Sequence, residues 1–178
     1  GRFDEIRVEL ARELKQSREE RESTDKSIRE NTKENEKIAT RIASEYGLTP
    51  TRSRIQKYKM WEESGETCIY CGKPAGVKDF LLGFGFEVEH IIPRSVLFDD
   101  SFSNKVCACR ECNQQKGNRT AYDFIASRGE AELQAYSERI NALAEQKKIS
   151  KSKQAKLLMK GCEIPTDFID RQLRESQY

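Results

Sequence analysis

Two CxxC pairs and a single histidine carry most of the chemistry open to this chain. Cys68 and Cys71 stand in CIYC, and Cys109 and Cys112 stand in CREC. Thiolates two residues apart can share one metal ion in a tight turn, and four of them complete the tetrahedral shell of Zn²⁺. Zinc held by four sulfurs is structural, because no position is left for water. Free or disulfide-bonded cysteine is the competing reading; no secretory signal favours oxidation, and the paired spacing points first to metal. Cys107, in VCAC, is the rival ligand and is expected to pack beside Val106 instead. Cys162 is expected to act as a small apolar residue near a helix end. Residues 72 to 108 separate the pairs, more than a simple zinc ribbon needs, so the metal would staple together the two ends of an insert.

That insert holds His90, in FEVEHIIPRS (86 to 95), the one histidine of the chain. A lone histidine is more often structural than catalytic, but its neighbours argue for chemistry. Glu89 precedes it, DDSFSNKV (99 to 106) follows as a loop entering a second strand, and CNQQKGNRT (112 to 120) reads as a helix beginning at Asn113. The order is a strand ending in Glu-His, a loop, a strand opening with Asn104, then a helix. Such a hairpin on a helix can hydrolyse phosphodiesters. Glu89 and the amide oxygen of Asn113 offer the oxygen ligands that Mg²⁺ prefers, and the metal would steady charge on the phosphate and the leaving 3′ oxygen. Neutral His90 can take a proton from the attacking water. Adjacent strand residues face opposite sides, so a bend or bulge is expected near Pro93 to re-aim Glu89 or His90. Asn104 is expected to hold the histidine loop by hydrogen bonds. Lys116 and Arg119 are candidates for phosphate contacts, with surface solvation as the alternative.

The elements around these residues are mainly helical. Residues 12 to 41 hold nine positive and eight negative side chains, which predicts a helix polar nearly all round, the kind that bridges domains. YGLTP (46 to 50) is a stop signal. A second helix is predicted over 51 to 63, with Ile55, Tyr58 and Trp61 facing inward. Amphipathic helices are predicted over 129 to 148, through Leu133, Tyr136, Ile140 and Leu143, and over 151 to 161. DEIRVEL (4 to 10) alternates like a short strand. The fold class is therefore α+β and mostly helical: a ββα-metal core with a four-cysteine zinc site, flanked by long helices.

Composition limits the function classes. The 32 Lys and Arg against 30 Asp and Glu leave a net charge of only +2, whereas free-standing nucleic-acid binders usually carry a basic excess. If the substrate is nucleic acid, something else must hold it. No run of about 18 apolar residues is present to span a membrane. Both ends of the chain read as the interior of a longer protein.

EVEHIIPRS, DDSFSNKV and CNQQKGNRT together resemble the His-Asn-His (HNH) nuclease module, and more closely that of the type II CRISPR RNA-guided DNA endonucleases, the Cas-nine family. IRVELARE resembles the second segment of that family's RuvC-like nuclease, and FIDRQLRES the start of its third. The resemblance implies these boundaries: 1–11, edge of RuvC-like segment II; 12–50, charged helical linker; 51–163, HNH domain; 164–178, second linker and start of segment III. It gives His90 the part of general base, Asn113 that of metal-binding asparagine and Asn104 that of support for the histidine loop. Glu89 departs from the Asp of most relatives by one methylene. Glu9 falls on the RuvC metal-binding Glu, whose partner acids are absent. The cysteine pairs resemble those of zinc-containing members, among the compact type II-C enzymes. The implied cofactors are catalytic Mg²⁺ or Mn²⁺ and structural Zn²⁺. The implied partners are target-strand DNA paired to guide RNA, the rest of the parent effector, and in some members an anti-CRISPR protein, all in the bacterial cytoplasm. A stand-alone homing or restriction HNH enzyme and a non-catalytic zinc-bound nucleic-acid module are the alternatives.

Overall fold

A computed structural model describes residues 18–164. The strand expected at 4–10 with Glu9, the first part of the charged stretch and FIDRQLRES fall outside the described residues. The chain divides between Pro50 and Thr51 into two units.

In the first unit the charged stretch forms one helix, α1 (Arg18–Tyr46). Thr24, Ser27, Thr32, Thr40 and Ser44 satisfy their hydroxyls within the helix, each donating to the carbonyl four residues back and sharing that acceptor with the backbone. Ile28 is exposed, whereas Ile38 and Ile42, four residues apart near the C-terminal end of α1, are buried. Gly47 ends α1 at φ +68°, a conformation glycine adopts without strain. This lets the N–H groups of Gly47 and Leu48 fold back onto the carbonyls of Ala43 and Ile42.

The second unit carries the chemistry-bearing residues. Thr51 caps α2 (Arg52–Glu63) by accepting from the Arg54 N–H. Tyr58, Met60 and Trp61 are buried, and Ile55 is half-buried. The Trp61 indole donates to the Ala75 carbonyl at 2.6 Å, fixing α2 against the turn that follows it. A short helix, α3 (Val77–Leu82), leads into β1 (Phe86–His90), which pairs antiparallel with β2 (Lys105–Cys109) in a two-stranded sheet. Then come α4 (Arg110–Lys116), α5 (Ala121–Ala126), α6 (Glu130–Glu145) and α7 (Lys151–Leu157). Tyr136, Ile140 and Leu143 of α6 are buried at the predicted helical spacing, while Leu133 is half-buried. Helix α7 is shorter than the expected 151–161, and Cys162 lies exposed in a following 3₁₀ turn rather than packed at a helix end.

A two-stranded hairpin is marginal alone in water. Here α2 and α4 pack on β2, and the fully buried side chains of Ile91, Ile92, Ala108 and Phe124 form the core around it. Helix α7 secures the loop that joins the strands. Lys156 reaches Asp99 at 2.5 Å and Ser103 Oγ at 2.8 Å. Lys153, almost fully buried, pairs with Glu63 of α2 and lies 4.3 Å from the centre of the Phe102 ring.

Burial by itself would raise the Asp99 carboxyl, but hydrogen bonds from Lys156 and Ser101 outweigh it and hold the group down to about 2, from an ordinary 3.8. A depressed carboxyl contributes stability that is complete above its unfolded value and lost as pH falls through its folded one. Lys156→Met should therefore lower stability by about 1 kcal/mol near neutral pH, allowing for solvent screening of a partly exposed pair. The difference from wild type should shrink between pH 4 and pH 2. Thermal melts of both proteins across that range check it, and a pH-independent difference would contradict the assignment.

Candidate active site and metal centre

The sulfur atoms of Cys68, Cys71, Cys109 and Cys112 all lie within 4.8 Å of one another. Cys71 and Cys109 Sγ are 3.8 Å apart, matching the roughly 3.8 Å edge of a tetrahedron with Zn–S bonds of about 2.3 Å. The first pair sits on a tight turn: the Cys68 N–H donates to Lys73 O at 2.8 Å, and the Gly72 N–H to Cys68 O at 2.9 Å. Gly72 has φ +73°, and a Cβ there would come within 3.1 Å of the Arg139 guanidinium. That guanidinium, from α6, donates to the carbonyls of Ile69 and Tyr70 and locks the turn. The second pair forms the corner from β2 into α4, where the Cys109 N–H donates to Cys68 Sγ at 3.2 Å and the Cys112 N–H to Cys109 Sγ at 3.5 Å. Amide donors of this kind favour thiolate over thiol. Cys107 is fully buried opposite Val88 in the ladder and is not part of the cluster. The cluster is thus a ready-made site for one tetrahedral metal ion.

The ladder pairs Glu87 with Ala108, Glu89 with Val106 and His90 with Lys105, one residue to one residue. Of the bend or bulge expected near Pro93, no bulge occurs within β1, and the chain bends only after it, at Ile91 and Ile92. The strand keeps its alternation, so Glu87 and Glu89 share the face toward α4. Asn113 Nδ2 donates to Glu87 Oε1 at 2.9 Å, leaving Oδ1 as the amide's acceptor. Lys116, at the end of α4, reaches Glu89 Oε1 at 2.8 Å and the His90 carbonyl at 2.9 Å.

His90 sits at the end of β1, where the chain enters a loop closed by Asn104. That side chain is fully buried. Its Oδ1 accepts from the Ile92 N–H at 3.0 Å, and its Nδ2 donates to the carbonyls of Ile92 at 3.0 Å and Asp99 at 2.8 Å. Its backbone carbonyl accepts from the Ile91 N–H at 2.9 Å. The imidazole Nε2 is 3.0 Å from Asp100 Oδ1, and Lys105 Nζ is 2.9 Å from Asp100 Oδ2. Hydrogen bonds from Lys105 and then His90 hold the Asp100 carboxyl below its ordinary range.

Several expectations need adjustment. Helix α4 begins at Arg110, three residues before Asn113, because Cys109 Sγ serves as its N-terminal cap. Asn104 closes a 3₁₀ turn, and β2 opens at Lys105. Lys116, a candidate for phosphate contact, has no exposed side-chain surface and is committed to Glu89. Burial lowers its pKa while Glu89 opposes the shift. Arg119 is exposed, and its guanidinium donates back to Gln115 O, Lys116 O and Ser127 Oγ and lies 5.3 Å from the centre of the Phe124 ring. Sequence reasoning missed Glu87 and Asp100. The period-two reading of FEVEH signals Glu87, because i and i+2 share a strand face; no spacing rule signals Asp100, which depends on how the loop returns.

The donor set on the α4 face suits a hard divalent cation: two carboxylates and an amide oxygen, all oxygen. Glu87 and Asn113 are already in contact, and Glu89 is two residues along the same face. These three residues could hold the ion, with Lys116 balancing part of the negative charge.

Cys68→Ser should lose bound zinc and several kcal/mol of stability, since binding energy at a structural site is folding energy. Metal analysis of the purified protein with a thermal melt checks this; an unchanged melt with no zinc in either protein would refute it. Asn104→Ala should cost about 3 kcal/mol or more, because it strands a buried N–H and two carbonyls, each worth about 1–3 kcal/mol. A denaturant midpoint within error of wild type would remove Asn104 from its structural role.

Residues 68–122 match the family model described as HNH endonuclease. The whole chain aligns at 31% identity with CRISPR-associated endonuclease Cas9 1 of Streptococcus thermophilus, covering 17% of that protein. It aligns at 36% identity over 69% of its own length with CRISPR-associated endonuclease Cas9 of Staphylococcus aureus, covering 12% of it. Among solved structures, S. thermophilus Cas9 in complex with AGGA PAM superposes with a TM-score of 0.68 at 28% identity, over 92% of this chain and 17% of that one. The type II-C Cas9 of Actinomyces naeslundii superposes with a TM-score of 0.58 at 22% identity, over 81% of this chain and 15% of that one, a likeness of fold. The chain therefore spans between about an eighth and a sixth of the length of these relatives, and the stretch it covers is the HNH endonuclease domain of the Cas9 family.

Proposed function

We propose that this chain works inside a longer RNA-guided enzyme and cuts the DNA strand paired to guide RNA. One observation carries the reading. Within the matched HNH residues, Glu87, Glu89 and Asn113 converge on one face, and His90 is held at the end of the same strand. His90 takes a proton from water. The resulting hydroxide attacks phosphorus, and the 3′ oxygen leaves with the electron pair of its P–O bond and takes a proton from solvent water, giving 3′-hydroxyl and 5′-phosphate ends. When bound, Mg²⁺ or Mn²⁺ would supply positive charge to the phosphate and leaving oxygens. Asn104 keeps the histidine loop closed. Lys116 keeps the Glu89 carboxylate and the His90 backbone in register with α4. Zinc in the cysteine cluster would be structural only.

The low net charge fits this reading. A domain whose substrate is delivered by a guide heteroduplex and the rest of the enzyme needs little affinity of its own. Residues 12–50 and 164–178 then serve as linkers to a RuvC-like nuclease, to which Glu9 would contribute a metal ligand.

In the full-length enzyme loaded with guide RNA, His90→Ala should abolish cleavage of the guide-paired strand and leave the other strand cut. Glu87→Gln and Glu89→Gln should each raise the Mg²⁺ concentration needed for half-maximal cutting. Strand-resolved cleavage gels over a Mg²⁺ titration check both. Normal cutting of both strands by His90→Ala would return the domain to a non-catalytic zinc module.

A further inference from the structure

We propose that Asp100 is a positioning residue for His90: its carboxylate holds the imidazole through Nε2 and leaves Nδ1 as the nitrogen that receives the proton from water. The inference rests on the reading of His90 as the base and adds how that base is aimed.

A carboxylate only accepts hydrogen bonds. At 3.0 Å from Asp100 Oδ1, Nε2 must therefore carry the ring proton, and in neutral imidazole the lone pair is then on Nδ1. Asp100 is itself held in place. Its other oxygen takes Lys105 Nζ at 2.9 Å, and Lys105 is the ladder partner of His90. The residue before it is secured from three sides. Asp99 O accepts from Asn104 Nδ2 at 2.8 Å, Asp99 Oδ1 accepts from the Ser101 N–H at 2.9 Å, and Asp99 Oδ2 pairs with Lys156 of α7 at 2.5 Å. Asn104 and α7 thus fix the loop backbone, and the loop delivers Asp100 to the ring. The side chain of His90 is 22% exposed and that of Asp100 56%, so the held ring stays within reach of a substrate arriving from solvent. This is the arrangement by which a third group orients a general base, and it uses a residue to which the HNH motif assigns no part.

The chain has one histidine, so a long-range ¹H–¹⁵N spectrum of the labelled protein reads the His90 tautomer without assignment. Wild type at pH 8 should show a dominant Nε2–H tautomer, and Asp100→Ala should shift both ring nitrogens toward averaged values. In the full-length guide-loaded enzyme, Asp100→Ala should slow cutting of the guide-paired strand about ten- to a hundredfold, as loss of an outer-shell partner does, with KM for DNA unchanged. Asp100→Glu should recover most of the rate. The proposal fails if Asp100→Ala cuts at the wild-type rate while His90→Ala is dead, or if wild type shows the Nδ1–H tautomer. It also fails if the lost rate is not recovered by Asp100→Glu while the tautomer is unchanged in Asp100→Ala, which would make Asp100 a loop support only. If His90→Ala itself cuts normally, the base reading falls first and the positioning role falls with it.

Discussion

Four sulfur atoms from two distant turns meet at one point, and the geometry of the site follows from that meeting. The cluster joins the turn after α2 to the corner between β2 and α4, so residues 68 to 112 form a closed loop with the hairpin inside it. Chain entropy opposes such a closure, by an amount that grows only slowly with loop length. One metal ion on the four thiolates would offset it at a single point, where a core this small could not. Because Cys109 caps α4 and Cys112 sits in its first turn, the cluster also sets where α4 starts and how it is rotated. Asn113 and Lys116 face β1 as a consequence. Arg139 extends the same constraint to α6 by holding the first turn through two carbonyls.

The second constraint is the unbroken alternation of β1. Without a bulge, the strand sorts its polar residues onto two faces: Glu87 and Glu89 toward α4, and His90 toward the loop. The α4 face would concentrate negative charge in a half-buried place, and Lys116 is the answer within the chain. A fully buried ammonium costs several kcal/mol in desolvation. Its ion pair with Glu89 and its bond to the His90 carbonyl offset that cost at the point where the strand must be held. Local rules for burial give way where a site needs charges in fixed positions.

The loop between the strands gets its order from outside the hairpin. Asn104 binds it from within, and α7 binds it from beyond α6 through Lys156, with Lys153 packed against Phe102. Two positively charged residues on a short C-terminal helix thus hold the acidic loop beside His90. The charged character of this region is part of its packing and not only a solvated surface.

Much of this was legible before any coordinates. The CxxC spacing identified the cluster, because two thiolates in a tight turn have few other uses. Stop signals and helical spacing located α1, α2 and α6, because these patterns reflect which face a helix must bury. The order of Glu-His, Asn and Asn along the chain identified the HNH hairpin. Other features were not legible. Of the expected bend or bulge, the ladder holds no bulge, and the bend falls at Ile91 and Ile92, after Glu89 and His90 have already taken opposite faces. Lys116 read as a surface charge because charge alone does not report burial, and Asp100 read as loop because its partner is ten residues away. The sequence by itself determined which side chains were available and on which kind of element each would stand, since those depend on local spacing and backbone preference. Only the tertiary structure decided which of them touch, since hydrogen bonds and ion pairs across a loop or between strand and helix depend on how distant segments close on one another.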